Sequence, residues 1–143
     1  MRTRLKQLLS GELPPPPIAG TVGMRFVSAG DGRARFEMEA DPARHGNPMG
    51  TVHGGILCDL ADAAMGMAYV CLLEDGESFT KLELKINFLR PVWRTTLRAE
   101  GVVVQRGRTV GLVECTVTDE KGRLVAKASS TVLTLRGEQA AGR

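Results

Sequence analysis

The feature that most constrains this chain is a run of twenty mostly apolar residues, GGILCDLADAAMGMAYVCLL, at positions 54–73. Its length and composition predict one long helix, and that helix has almost no polar face. A run of about this length could span a membrane, but Asp59 and Asp62 would be costly in lipid. We therefore predict a core helix that a sheet covers on most sides.

Alternating segments on both sides of the run supply that sheet. Residues 23–40 form a predicted hairpin with its turn at 29–32. Residues 80–89 alternate strictly, which predicts a strand that carries Leu82, Leu84, Ile86 and Phe88 on one face. Three more strands follow, up to residue 135, with turns too short for anything but antiparallel neighbours. The predicted class is α+β.

The rest of the composition narrows the setting. We divide the chain into a short helix with a proline-rich lead-in (1–19), one domain (20–135) and a flexible tail (136–143). Three isolated cysteines, an odd number, are typical of free thiols in a reducing compartment, and no metal-ligand spacing occurs. The scattered net charge of +3 favours neither nucleic acid nor a membrane surface. Without an apolar secretory signal at the start, we expect a cytoplasmic protein.

The two aspartates suggest chemistry. Asp59 and Asp62 are three residues apart, hence neighbours on one helix face, and no Lys or Arg lies between Arg44 and Lys81. Two carboxylates so close tend to raise one pKa, which suits a general base near neutral pH. The alternative is that Asp59 faces water while Asp62 accepts a hydrogen bond from a hydroxyl such as that of Thr80.

The glycines at the helix start suggest a complementary role. Gly54 and Gly55 either allow a tight turn beside a strand or aim bare backbone N–H groups at an oxygen that gains negative charge. Gly54 and Asp62 are eight residues apart, about 12 Å along a helix, so they cannot meet at one substrate atom within one chain. Two antiparallel helices from two subunits could bring them together, which predicts at least a dimer.

These residues also form a pattern. Asn47, then His53-Gly54-Gly55, then Asp62, and finally NFLRP at 87–91 resemble the hotdog-fold thioesterases of the phenylacetic-acid-degradation (PaaI-like) group, over about residues 20–135. The resemblance implies an α+β hotdog, in which an antiparallel sheet wraps one long helix. It also implies dimers that pair again into homotetramers.

What the resemblance implies for activity is hydrolysis of acyl-CoA thioesters, for which we expect aryl or medium-chain acyl groups. Asp62 would be the base or nucleophile, and the Gly54 N–H would polarise the thioester carbonyl. Asn47 would position the water or the thioester, and His53 would support the loop. Coenzyme A is part of the substrate, so no separate cofactor is expected.

Other expected site residues rest on less. Some family members carry a Ser or Thr on the strand after the helix; ungapped counting puts that place at Lys81, so Thr80 serves only if the register slips by one. Family position implies that Gly55 and the segment Phe88, Leu89 and Arg90 border the coenzyme. Arg106 and Arg108 are candidates for phosphate contact, or they form a solvated turn. The role of Asp59 stays open.

Other functions fit less well. A hotdog hydratase would need a histidine arrangement that His53 does not resemble. A non-catalytic acyl-CoA-binding sensor or scaffold is the alternative from another class, because fold alone does not decide function. A DNA-binding sensor would need more than the 19 residues before Gly20. No Gly-x-Ser-x-Gly or Walker phosphate loop is present.

Overall fold

The computed structural model describes residues 2–142. Its elements in chain order are α1 (Arg2–Leu9), α2 (Pro17–Val22), β1 (Met24–Gly30), β2 (Arg33–Ala40), α3 (Pro42–His45), α4 (Gly54–Val70), β3 (Ser78–Phe88), β4 (Thr95–Arg106), β5 (Val110–Thr118), β6 (Leu124–Leu135) and a closing 3-10 turn (Gly137–Ala140).

The six strands form one antiparallel sheet in the order β1-β2-β4-β5-β6-β3. Helix α4 packs against this sheet and contacts all six strands. The α+β class and the hotdog architecture are therefore confirmed, as is the hairpin turn. The predicted meander holds for β4, β5 and β6, whereas β3 pairs with β6 at the edge of the sheet and does not neighbour β4. The helix ends at Val70, three residues before the predicted end, because the N–H groups of Leu72 and Leu73 bond the carbonyls three residues back.

Close contact between backbone atoms shows how tightly the sheet wraps α4. A Cβ added at Gly101 of β4 would lie 2.4 Å from the Ala64 carbonyl oxygen. At Gly111 of β5 an added Cβ would lie 2.5 Å from the Tyr69 ring. Tyr69 is fully buried, and its hydroxyl shares a 2.7 Å hydrogen bond with the Thr134 hydroxyl of β6. Glycine at these two strand positions lets the helix lie directly on the sheet.

Strand β3 departs from the predicted alternation. The register of β3 against β6 shifts between Lys81 and Glu83, and such a bulge reverses which side chains face the helix. Leu82 is consequently 58% exposed, so its predicted place on the same face as Leu84 and Ile86 is wrong. Leu84 and Ile86 keep their places against the core.

Two short helices were not predicted. Helix α2 has Pro17 at its first position and ends at Gly23, whose φ of 84° is left-handed. Helix α3 lies in the predicted loop, and the Asp41 carboxylate caps it by accepting from the Ala43 N–H at 3.0 Å. The short helix expected within residues 1–19 is present as α1.

The segment after β6 is attached to the body of the domain. Arg136 pairs with the buried Glu77 at 2.6 Å, just before the 3-10 turn at Gly137–Ala140. Within residues 2–142, no helix combines the length and hydropathy that crossing a bilayer requires.

Candidate active site

His53 caps the N-terminus of α4. The ring Nδ1 of His53 accepts a 2.9 Å hydrogen bond from the Gly55 N–H, and the backbone N–H of His53 donates to the His45 carbonyl at 2.7 Å. An accepting Nδ1 means that a neutral His53 ring carries its proton on Nε2. The cap occupies the Gly55 N–H.

Asn47 shapes the loop that leads into the helix. Its Oδ1 accepts from the N–H groups of Met49 (2.9 Å) and Thr51 (3.2 Å), while its Nδ2 donates to the Thr51 hydroxyl at 2.9 Å. These contacts account for Asn47 as an organiser of the turn between residues 47 and 51. Within one chain, the Asn47 amide forms no hydrogen bond with Gly54 or Asp62.

Gly54 is the first residue of α4 and lies against the ring of Phe88. A Cβ at Gly54 would be 2.8 Å from the Phe88 Cζ. No hydrogen bond among the residues described uses the Gly54 N–H, as expected for the first turn of a helix. The structure therefore combines the two interpretations of this glycine, since it permits a close contact and leaves its N–H available.

Asp62 lies on the outward face of α4 and contacts a cation that is distant in sequence. Lys81 of β3 donates from Nζ to the Asp62 carboxylate at 2.6 Å and to the Asp62 carbonyl at 2.5 Å. The Lys81 side chain is only 16% exposed, while that of Asp62 is 54% exposed. Gly66 makes room for the ammonium, because a Cβ there would be 3.0 Å from Nζ.

This ion pair changes the electrostatics expected from the sequence. Burial lowers the pKa of the Lys81 ammonium, although its hydrogen bond to Asp62 and the charge of that residue oppose the shift. Burial also raises the pKa of the Cys58 thiol, and Asp59 and Asp62 add to that effect. A thiol in that environment is a poor nucleophile, which leaves the carboxylates as the chemically useful groups on this face.

Thr80 takes no part in this contact. It pairs in register with Leu133 of β6, next to Lys81, and neighbouring strand side chains point to opposite faces. The alternative in which Thr80 donates to Asp62 is therefore corrected, since the donor is Lys81. Lys81 was not predicted as a site residue. The only indication in the sequence was that ungapped counting puts the family's Ser or Thr position at Lys81.

Asp59 and Asp62 both border a cavity of about 650 Å³ beside α4. Its other walls come from β1, from Phe36 of β2 and from residues between 8 and 19, which include the start of α2. Their spacing in the sequence predicted that the two aspartates share one helix face. The cavity that they border could not be predicted from that spacing.

Four of the six residues expected to contact the coenzyme are exposed, and the partly buried ones are Gly55 and Arg106. Phe88 and Leu89 are 53% and 54% exposed, and Arg90 and Arg108 are also exposed. Arg106 differs, because its guanidinium donates to the Leu72 carbonyl and pairs with Glu77. A phosphate would have to compete with that carboxylate for Arg106, whereas Arg108 presents no such obstacle.

His45 is a second residue that no sequence motif singles out. It is buried, its Nδ1 accepts from the Asp41 N–H at 3.1 Å, and its Nε2 lies 2.9 Å from the Val22 carbonyl. Together with the backbone bond to His53, these contacts connect α2, α3 and the start of α4. Within residues 2–142, no three His, Cys, Asp or Glu side chains group as metal ligands would.

Comparison with known proteins identifies the family. The sequence profile described as the thioesterase superfamily matches residues 49–126, which include the helix, Asp62 and Lys81. The chain belongs to the thioesterase superfamily.

Individual members of the superfamily are similar over most of their length. The proofreading thioesterase EntH of Klebsiella pneumoniae is 32% identical over 102 residues, covering 71% of this chain and 74% of that protein. The 1,4-dihydroxy-2-naphthoyl-CoA hydrolase of Listeria monocytogenes is 27% identical over 112 residues, 78% of this chain and 90% of the relative. A crystal structure of a phenylacetic acid degradation-related protein from Ralstonia eutropha JMP134 superposes with a TM-score of 0.81 at 35% identity, covering 90% and 98% of the two chains. The resemblance to the PaaI-like group is thus confirmed at the level of family and fold.

Proposed function

We propose that this superfamily member hydrolyses acyl-CoA thioesters with aryl or medium-chain acyl groups. The observation that carries the proposal is the half-exposed carboxylate of Asp62, which borders an apolar cavity in the middle of α4. A carboxylate in that setting is suited to activate water or to attack a carbonyl. Hydrolysis of thioesters is also the activity named for two relatives.

In the proposed mechanism, each site uses two subunits. Gly54 of one chain would donate a hydrogen bond from its N–H to the thioester oxygen, while Asp62 of the other chain would take a proton from the attacking water or attack the carbonyl itself. The C–S bond then breaks, and coenzyme A leaves as a thiolate that takes up the proton released by the water. After direct attack, a water molecule would cleave the acyl–Asp62 anhydride to free acid and regenerate the carboxylate. Asn47 and His53 would hold the loop around the thioester. Phe88, Leu89, Arg90, Gly55 and Arg108 would border the coenzyme, and Arg106 would act mainly through its contact with Glu77.

Strand β3 supports the required dimer. It is an edge strand of eleven residues in the described sheet, and the exposed Leu82 and Phe88 lie on it. An edge strand leaves a row of backbone N–H and C=O groups unpaired, and such a long edge is a natural place for antiparallel pairing with a second copy. A twofold axis through that pair would lay the two α4 helices antiparallel on one sheet face. Further pairing of such dimers would give the proposed homotetramer, which analytical ultracentrifugation tests directly.

A non-catalytic acyl-CoA-binding protein is the second candidate. The ion pair between Lys81 and Asp62 favours it, because the ammonium occupies one oxygen of the carboxylate on which hydrolysis depends. Hydrolysis and binding make opposite predictions for turnover, so one assay separates them.

That assay follows release of free coenzyme A with a thiol reagent across aryl, short, medium and long acyl-CoA thioesters. We expect Asp62→Asn to lower turnover by about 100-fold or more while the fold persists. Asp59→Asn is the matched variant on the same helix face, and we expect it to lose less than about tenfold, as suits a neighbour outside the reaction. Tight binding with no turnover by the wild-type protein would support the second candidate instead.

Mixed dimers test the division of the site between chains. A dimer of one Asp62→Asn subunit and one Gly54→Pro subunit retains one complete site. Random mixing in equal amounts should therefore restore about a quarter of wild-type activity. Mixtures that pair normally but stay inactive would contradict the shared site.

A further inference from the structure

The cavity beside α4 has an outer wall that comes from the start of the chain. We use the term N-terminal arm for residues 8–18, which run from the end of α1 through the prolines into α2. The arm lines the 650 Å³ cavity with Leu13, Pro14, Pro15, Pro16 and Ile18, among others. Pro14 to Pro16 stiffen the arm, because each proline fixes its own φ angle.

The opposite walls are equally apolar. Met24 and Phe26 of β1 line one side, and Ala63 and Met67 of α4 line another. Met67 lies one turn of helix beyond Ala63, so the apolar wall continues along α4 from Asp62 toward its C-terminus. The cavity is therefore apolar on three sides.

Among the lining residues that the structure describes, three are titratable: Arg25, Asp59 and Asp62. Arg25 pairs with Glu37 and keeps a side chain that is 66% exposed, so it belongs to the outer surface. The two aspartates therefore dominate the charge near the helix. A ligand with its own carboxylate would be repelled there, whereas an uncharged apolar group would not.

We propose that this cavity holds the acyl group of the substrate and that the N-terminal arm sets the length of acyl group that fits. The inference rests on the proposed function, because it puts the thioester beside Asp62. The volume of the cavity lies within the range of roughly 300–1,000 Å³ that is typical of small-ligand pockets. A phenyl ring needs only on the order of 150 Å³, so an aryl or medium-chain group fits with room to spare. The preferred acyl groups are uncharged and apolar, and acyl groups with a terminal carboxylate are disfavoured.

Binding of coenzyme A thioethers tests the inference without turnover. A series from S-ethyl- to S-dodecyl-coenzyme A would be titrated into the full-length protein by calorimetry. Each methylene that enters an apolar cavity should tighten binding about fourfold, and the gain should stop where the cavity is filled. An S-(7-carboxyheptyl)-coenzyme A thioether should bind more weakly than the S-octyl compound.

Two variants locate the effect in the arm. Leu13→Ala should weaken binding of the octyl compound while leaving the ethyl compound unchanged, and Leu124→Ala, at a partly exposed leucine outside the cavity, should leave both unchanged. If Leu13→Ala does not fold, Ala63→Leu narrows the same cavity from the helix side and should end the gain at a shorter chain.

The outcomes are distinct. Affinity that is independent of chain length, or equal losses in Leu13→Ala and Leu124→Ala, would overturn the inference. So would a Leu13→Ala protein that changes only its oligomeric state, because a second copy would then cover the cavity. Chain-length-dependent binding without hydrolysis of any acyl-CoA would refute the proposed function and leave the cavity assignment standing. Hydrolysis at a rate that does not depend on acyl length would refute the cavity assignment and leave thioester hydrolysis standing.

Discussion

Gly54 offers the sharpest test of the proposed chemistry, because proline and alanine there separate its N–H from its lack of a side chain. Gly54 is the first residue of α4, a position at which proline is well tolerated. The preceding residue, His53, already has φ −64° and ψ 136°, the extended conformation that proline requires of its neighbour. Gly54→Pro should therefore fold while losing only the donor proposed for the thioester oxygen.

Gly54→Ala is the matched control. Both substitutions add a Cβ that would lie 2.8 Å from the Phe88 Cζ, and the Phe88 side chain is half-exposed and free to turn aside. Only the proline also removes the N–H. Loss of one oxyanion donor typically lowers kcat by about 100- to 1,000-fold, or about 2.7–4 kcal/mol. We expect that loss in Gly54→Pro and a loss below about tenfold in Gly54→Ala.

The assay is steady-state release of coenzyme A from the best acyl-CoA of the panel, with thermal melting of each variant as the folding control. If the two variants melt like the wild-type protein and show equal kcat values, the N–H has no role in the reaction. Equal and severe losses would assign Gly54 to its contact with Phe88 instead.

Three further predictions concern the structure around the site. Burial opposes ionisation of Glu77, but backbone and arginine hydrogen bonds outweigh it and lower the pKa of this carboxyl. The stabilisation that Glu77 gives the folded protein is therefore present above its ordinary pKa and disappears as the pH falls through the lowered pKa. Glu77→Gln should lower the free energy of unfolding at pH 7 by about 1–3 kcal/mol and flatten its loss on acidification, and denaturation curves that stay parallel to wild type down to pH 3 would contradict this. Lys81→Met should change the free energy of unfolding by less than about 1 kcal/mol, since burial already disfavours the ammonium and water can reach the exposed Asp62. A loss above about 2 kcal/mol in urea denaturation would show instead that the ion pair stabilises the fold. Gly101→Ala should cost about 1–3 kcal/mol or more, since its Cβ would meet the Ala64 carbonyl at 2.4 Å, whereas Gly30→Ala, with open space around it, should cost little in the same measurement.

Much of the architecture follows from local patterns in the sequence. The apolar run predicted α4 because few other structures bury such a segment, and alternation with short turns predicted an antiparallel meander. Helices α2 and α3 were missed for a different reason. They span six and four residues, too few for any periodicity, and contacts from distant residues hold them, such as the bonds from Arg44 to the carbonyls of Gly20 and Thr21.

The site was predictable where its residues are close in sequence. His53, Gly54 and Gly55 form one cap, and Asp59 and Asp62 share one helix face, so spacing was sufficient for both groups. The cation beside Asp62 is nineteen residues away on another element, and the wall of the cavity comes from the start of the chain. Contacts of that kind depend on how elements pack, which residue spacing does not specify.

The bulge in β3 shows how one local irregularity decides the chemistry of the site. Strict alternation from Leu84 back along the strand would turn Thr80 toward α4 and Lys81 away from it. The register shift between Lys81 and Glu83 reverses that assignment, and the Lys81 ammonium reaches both the carboxylate and the carbonyl of Asp62. A hydroxyl would offer the carboxylate one neutral donor, whereas the ammonium brings a full positive charge, a stronger interaction in a partly buried setting. The extra residue in β3 therefore determines whether the central carboxylate of α4 is paired with a cation, and hence how much of it remains available to a substrate.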